Sequence, residues 1–424
     1  MFEYFPPESI YFVCNAVLYI ITLFFFIRKK KYSVGTFLMS IYTVSAVFAI
    51  FYYGVFVLID NSDKLNVWSF IFLYICLMIG FWPLVKMKDV DAILVGNLEY
   101  RSFILICYIV ILLSIEPFLE NVRLIFTPHD AFEAHNDAVE GELYIYSFVA
   151  SRLNSYCILF RSFVPLATIL AFKIRKIPVF LKYLLLIPTM NYILIGYNTG
   201  IRGNIISYMA MFLCMIIFLN PIFSKTQKKY IKKASFLVGT IILLLFVAIS
   251  SSRYEGNTSS SKSTMDVWLL QYLSEGPVLF NAQIWEKTPD TNGDVNFHFY
   301  KKQLGMKTYV TYREREEHYL GKNGLRIEVF RTYVGDFLTD MGKVGTFLFC
   351  CIISFFVLRM NRGNSLTISS LLFYSNILEL YVIGFASNIY RDYSTSKGFF
   401  CMMMLAFLFY FLRRLNKDYI LITK

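Results

Sequence analysis

Apolar positions along the chain gather into runs of roughly 17–25 residues with few charges, each long enough to cross a bilayer. Eleven runs are predicted as membrane-spanning helices, near 9–27, 35–59, 67–85, 102–119, 150–172, 183–199, 204–221, 235–250, 343–358, 366–388 and 398–412. The stretch from Tyr183 to Phe223 is far too long for one span at about 1.5 Å per residue. The turn residues of "NTGIRGN" break it into two spans joined by a tight turn. Two external segments are large, about 120–149 and about 251–342, and only the second is big enough for a subdomain. The expected organisation is eight spans in 1–250, an external loop over 251–342 and three spans in 343–424. The expected fold class is an all-α polytopic membrane protein.

Composition agrees with the pattern. The 424 residues are 57% hydrophobic, above the roughly 45–50% of soluble domains, and the mean hydropathy is +0.54. The first run does not read as a secretory signal. Glu3 and Glu8 precede it, "RKKK" follows it, and no small-residue cleavage site appears. That charge order places the N-terminus outside and Arg28–Lys31 in the cytoplasm, which puts the C-terminus inside. Under this topology the cytoplasmic segments carry a net +18 and the rest of the chain −6. Every short inside loop is basic, so the net charge of +12 is a topology signal and no argument for nucleic acid. All eight cysteines fall within predicted spans, where they serve as small apolar packing residues and imply no disulfide framework.

The external loop opens with polar "SSSRYEGNTSSSKST" and turns amphipathic in "MDVWLLQYLSEGPVLFNAQIWE". Its apolar positions suit either a surface-lying helix or helix pair, or a packed core inside the loop. No phosphate loop and no dinucleotide-type glycine motif opens any cytoplasmic helix. A catalyst of this kind needs a substrate that brings its own leaving group.

The external basic residues include Arg123, Arg152, Arg161, Arg202, Arg253, Arg313, Arg315, Arg326, Arg331 and Arg391. Ten of 19 basic residues outside are arginine, against seven of 22 inside. Topology asks for lysine and arginine indifferently, and inside. Arginine's planar fork matches phosphate oxygens in pairs, which lysine's point charge does not. Arg202 opens the helix after the tight turn, where free backbone N–H groups already favour anions; snorkelling to lipid headgroups is the plain alternative. Arg161 and Glu379 each lie within a span and are expected to pair, with Glu116 as the rival partner. His129, Asp130, Glu133, His135 and Asp137 are metal-capable side chains whose spacing fits no defined site. His298 and His318 are candidate bases.

Three stretches resemble one family. "NTGIRGNIISYMAMFLC" is similar to the turn-and-helix of bacterial O-antigen and capsule repeat-unit polymerases, the Wzy class, with Ile201 in place of the family's serine. "VFRTYVGDFLTDMGKVGTFLFCCIISF" resembles the segment that returns that family to the membrane after its long external loop, and "QYLSEGPVLFNAQIW" resembles a loop segment of the type Y-x-x-x-G-P. The resemblance implies a GT-C-type lipid-linked glycosyltransferase architecture in the bacterial cytoplasmic membrane, acting on its outer face with no metal or other cofactor. Its substrates would be undecaprenyl-pyrophosphate-linked oligosaccharides as donor and acceptor, with membrane lipids and a chain-length regulator as partners and no nucleic acid. On this reading Arg202, Arg253, Arg331 and Arg391, with Arg326 and Arg161, bind pyrophosphate. The general base is one of Glu275, His318 and Asp336. A ligase of the same architecture is the near alternative. A lipid-linked oligosaccharide flippase or another transporter is the distant one, and the chain shows no internal repeat of the kind transporters carry.

Overall fold

The computed structural model describes residues 7–30, 33–59, 65–87, 89–127, 146–199, 202–233, 240, 265–286, 291–309, 311–323, 330–360, 365–415 and 419–422. The predicted span 235–250 apart from residue 240, the segment 129–142, and Arg253 and Arg326 lie outside them. Helices dominate: α1 (Ser9–Lys29), α2 (Val34–Ile59), α3 (Val67–Lys86), α4 (Asn97–Ile125), α5 (Phe148–Ile158), α6 (Phe163–Lys173), α7 (Val179–Leu184), α8 (Leu186–Asn198), α9 (Arg202–Leu219), α10 (Met265–Leu279), α11 (His298–Gln303), α12 (Tyr312–Asn323), α13 (Thr332–Met360), α14 (Ile368–Ile383) and α15 (Tyr393–Leu415). Among the described residues eight helical segments are long and apolar enough to cross a membrane, or up to nine when the bent pair α5–α6 is taken as one span; α14 is a shorter apolar helix. The chain is an all-α polytopic membrane protein.

The structure departs from the expected spans in three places. The run over 150–172 is not straight: α5 and α6 meet at 73°, with a turn at 159–162 that holds Arg161. A charged side chain inside a span has to reach a partner, and the break carries Arg161 to one. The span expected from 343 is the distal part of a longer helix, α13, which kinks at Gly342 with φ +67°. Glycine adopts this backbone without a Cβ penalty. A small sheet, unpredicted because its apolar runs are only three to five residues long, joins β1 (Ala92–Gly96), β2 (Ser365–Thr367) and β3 (Tyr419–Ile422). Its order is β2-β1-β3, with β1 parallel to β2 and antiparallel to β3.

The chain divides into two compact units. The first comprises Met1–Met87, Ser260–Arg362 and Leu380–Ser396. Its core sets Phe12, Ala49, Tyr52, Tyr53 and Phe70 of α1–α3 against Leu270, Val278 and Leu279 of α10 and Ala282 beyond it. The amphipathic segment is thus a packed one: Leu270, Val278 and Leu279 are buried against spanning helices, and Tyr272 and Leu273 are half-buried. Each large apolar side chain so buried is worth about 1.5–3 kcal/mol. Gly276 is needed for the fit, because a Cβ there would lie 2.2 Å from the Phe385 carbonyl oxygen.

The second unit comprises Lys88–Ser259, Gly363–Glu379 and Lys397–Lys424 and contains the sheet. Buried amides hold its helices together: Asn121 Nδ2 of α4 donates to Asn191 Oδ1 of α8 at 2.9 Å, and Asn198 Nδ2 donates to Asn121 Oδ1 at 2.8 Å. Such interhelical bonds act as polar glue in a membrane.

Candidate active site

The first unit gathers charge around the start of α13. Arg331 and Asp336 are each fully buried, with Nε 3.0 Å from Oδ1. The second carboxylate oxygen of Asp336 accepts the Asn388 backbone N–H at 2.6 Å. Taking two charges out of water costs several kcal/mol per ion unless geometry and further hydrogen bonds offset it. The residue after Arg331 is strained: Thr332 is β-branched and has φ +65°, a conformation that costs on the order of 1–3 kcal/mol and persists only where the surroundings over-determine it. They do so here. The N–H groups of Arg331 and Thr332 both donate to the Ala386 carbonyl at 2.8 Å, and Tyr333 N–H donates to Gly384 at 2.8 Å.

The turn that carries Arg391 is held from several sides. Asn388 Nδ2 donates to Asn296 Oδ1 at 2.6 Å, and Asn296 Nδ2 donates to the Asp336 carbonyl and to Asp340 Oδ2, both at 2.6 Å. Arg315, buried on α12, donates through Nη1 to the Arg391 carbonyl at 3.0 Å and to His298 Nδ1 at 2.9 Å. Burial and the adjacent Arg315 guanidinium push His298 down to about 3, so its ring is neutral and accepts this bond. The Arg391 guanidinium stands 4.0 Å from Asp336 and its side chain is 13% exposed, whereas Arg331 and Asp336 have no exposure.

Glu275 on α10 completes the cluster. It is 7% exposed and accepts from Gln271 Nε2 at 3.2 Å. Burial pushes its carboxyl up to about 7, against the lowering pull of the Gln271 hydrogen bond and of the Arg391 charge. A carboxyl balanced near neutrality beside a guanidinium suits proton transfer to or from a hydroxyl, with the arginine facing an anion.

The structure therefore brings Glu275, Arg331, Asp336 and Arg391 together in one unit. His318, the third candidate base, lies on α12 and stacks on Tyr309 at 4.3 Å between ring centroids. Arg161 belongs to the second unit, where its Nε is 3.0 Å from Glu379 Oε1 and its Nη2 donates to Ser207 Oγ at 2.6 Å; Glu116 is exposed. Arg202 is the first residue of α9. Asn296, Asn388 and Asp340 were not foreseen as parts of the site. Asp340 does lie in the glycine- and aspartate-bearing pattern of 335–347, and that was the one signal for it. Among the described residues no group of three His, Cys, Asp or Glu side chains converges on a metal position.

No family model, curated protein or solved structure matches the chain. The functional reading rests on the residues themselves.

Proposed function

We propose that the protein is a polymerase of undecaprenyl-pyrophosphate-linked oligosaccharide repeat units, a glycosyltransferase of the cytoplasmic membrane working on its outer face. The growing glycan leaves its lipid pyrophosphate and joins the non-reducing sugar of the next lipid-linked unit. The C–O bond to the donor pyrophosphate breaks, and a new glycosidic bond forms from the acceptor hydroxyl oxygen. The departing pyrophosphate keeps the electron pair.

The observation that carries the reading is the pairing of Glu275, buried and raised to about 7, with the more accessible Arg391 guanidinium. In the proposed reaction Glu275 takes the proton from the acceptor hydroxyl, and Arg391 stabilises the charge developing on the leaving group. Arg331 and Asp336, both enclosed, position the Arg391 turn and do not touch substrate. Further support comes from the sequence resemblance, the arginine bias outside the expected cytoplasmic segments, and the lack of a nucleotide motif.

A second reading, movement of the lipid-linked unit across the membrane, draws on one observation. The break between α5 and α6 holds Arg161, which pairs with Glu379 of α14, and broken helices with ionisable residues mark transport sites.

The test is the surface glycan ladder of a deletion strain complemented with wild type, Glu275→Gln or Arg391→Lys at matched protein levels. Polymerase activity predicts single repeat units in the uncomplemented strain, and collapse of the ladder towards them in both variants. Long lipid-linked chains that accumulate unattached would indicate a ligase. An intact ladder in the deletion strain would sink the proposal.

A further inference from the structure

We infer that the joined C-terminal ends of α1 and α3 form a seat for the headgroup of an anionic phospholipid, independent of the site around Glu275. Two lysines converge on one indole there. Lys29 Nζ stands 4.5 Å and Lys86 Nζ 4.7 Å from the Trp82 ring centroid. Phe25 stacks on the same indole at 6.0 Å with an interplanar angle of 11°, and Lys29 also lies over Phe25 at 5.5 Å. The two helix ends are tied to each other, because Lys30 Nζ donates to the Met87 carbonyl at 2.7 Å.

Lys29 and Lys86 are both exposed, and among the described residues neither ammonium meets a carboxylate. Each ring contact attracts a cation but does not neutralise it. The two charges are held within roughly a Debye length of each other, where like charges repel. An anion bound beside them offsets that repulsion.

The neighbouring surface says which anion. Ile21, Phe24 and Phe25 leave α1 with 60%, 63% and 51% of their surfaces exposed, a face that suits acyl chains leading up to a phosphate at the Trp82 level. Tryptophan at such a boundary presents an apolar ring to the chains and a polar edge to the headgroups, and basic pockets between spanning helices hold anionic headgroups. Acyl chains already lie along this face because α1 is long and apolar enough to span the bilayer, whereas a soluble phosphate would meet the lysines alone. The phospholipid uses both.

The experiment reads Trp82 fluorescence in the full chain carrying Trp68→Phe, Trp268→Phe and Trp285→Phe, reconstituted in phosphatidylcholine vesicles. Brominated phosphatidylglycerol is expected to quench Trp82 at a mole fraction on the order of tenfold below that needed with brominated phosphatidylcholine, from two cations acting together. Lys29→Gln with Lys86→Gln is expected to erase the difference. Equal quenching by the two lipids would overturn the inference, as would a preference that survives the double substitution. Release of the quench by millimolar inorganic phosphate would assign the seat to a soluble anion and overturn it too. Should the triple tryptophan variant not fold, native mass spectrometry of the otherwise unaltered chain reads the same contrast. Phosphatidylglycerol retained by the wild type and lost by the double lysine variant supports the seat, and equal retention refutes it.

Discussion

At the scale of the residue, the account turns on one carboxyl. Below about pH 7 Glu275 holds its proton and has no capacity to take another from an acceptor hydroxyl. The rate of the proposed transfer should therefore rise with pH through about 7, and Glu275→Gln should lower it by about 10²–10⁴ and flatten that limb of the profile. A rate profile unchanged in the variant would remove Glu275 from the chemistry. His298, held neutral by burial and Arg315, should add no step of its own between pH 5 and 8. Arg391→Lys keeps the charge and loses the fork of donors, so turnover should fall by about 10²–10³ with the fold intact. The buried pair is different in kind. Arg331→Ala or Asp336→Asn leaves an uncompensated group at a site without solvent, and should cost about 3–5 kcal/mol in detergent unfolding curves; near-wild-type stability would contradict that picture. The sequence singled out all four of these residues by type and place. It could not tell the enclosed arginine from the accessible one, because burial depends on what packs across 384–391.

At the scale of the element, α10 and the kinked α13 matter most. Spans were legible because a bilayer requires long uninterrupted apolar runs, and the division between α8 and α9 was legible from the turn residues of the sequence there. The kink at Gly342 falls next to the expected start of the span at 343. The 73° bend at 159–162 was not legible: the apolar run continues through it, and only the lone Arg161 hinted at a constraint. The packing of α10 was equally open, since its pattern suits a lipid surface or a protein core until α1–α3 are placed beside it. Gly276→Ala tests that packing. Its added methyl would meet the Phe385 carbonyl at 2.2 Å, so it should destabilise by about 1–3 kcal/mol and, by shifting the adjacent Glu275, lower activity as well. Normal stability and rate together would mean that α10 does not seat there.

At the scale of the whole molecule, positive charge on short loops predicts an N-terminus outside and the Glu275 unit facing outward. Accessibility of single cysteines introduced on α12 and after α15 to an impermeant thiol reagent checks the orientation; α12 should label from outside and the C-terminal segment should not. In the second unit, Arg161→Glu and Glu379→Arg should each impair folding or function, and the double reversal should recover part of it. No recovery would count against the pair as the reason for the bend. The three-stranded sheet escaped the sequence because strands this short join residues far apart in the chain, and no local period announces them. The most direct test of the central claim uses the purified chain in vesicles with a lipid-pyrophosphate-linked repeat unit and no nucleotide. The account predicts a ladder of lengthened lipid-linked glycans, release of undecaprenyl pyrophosphate, and only the starting unit with Glu275→Gln. An active-folded wild type that leaves the unit unextended, or merely moves it between leaflets, would contradict it.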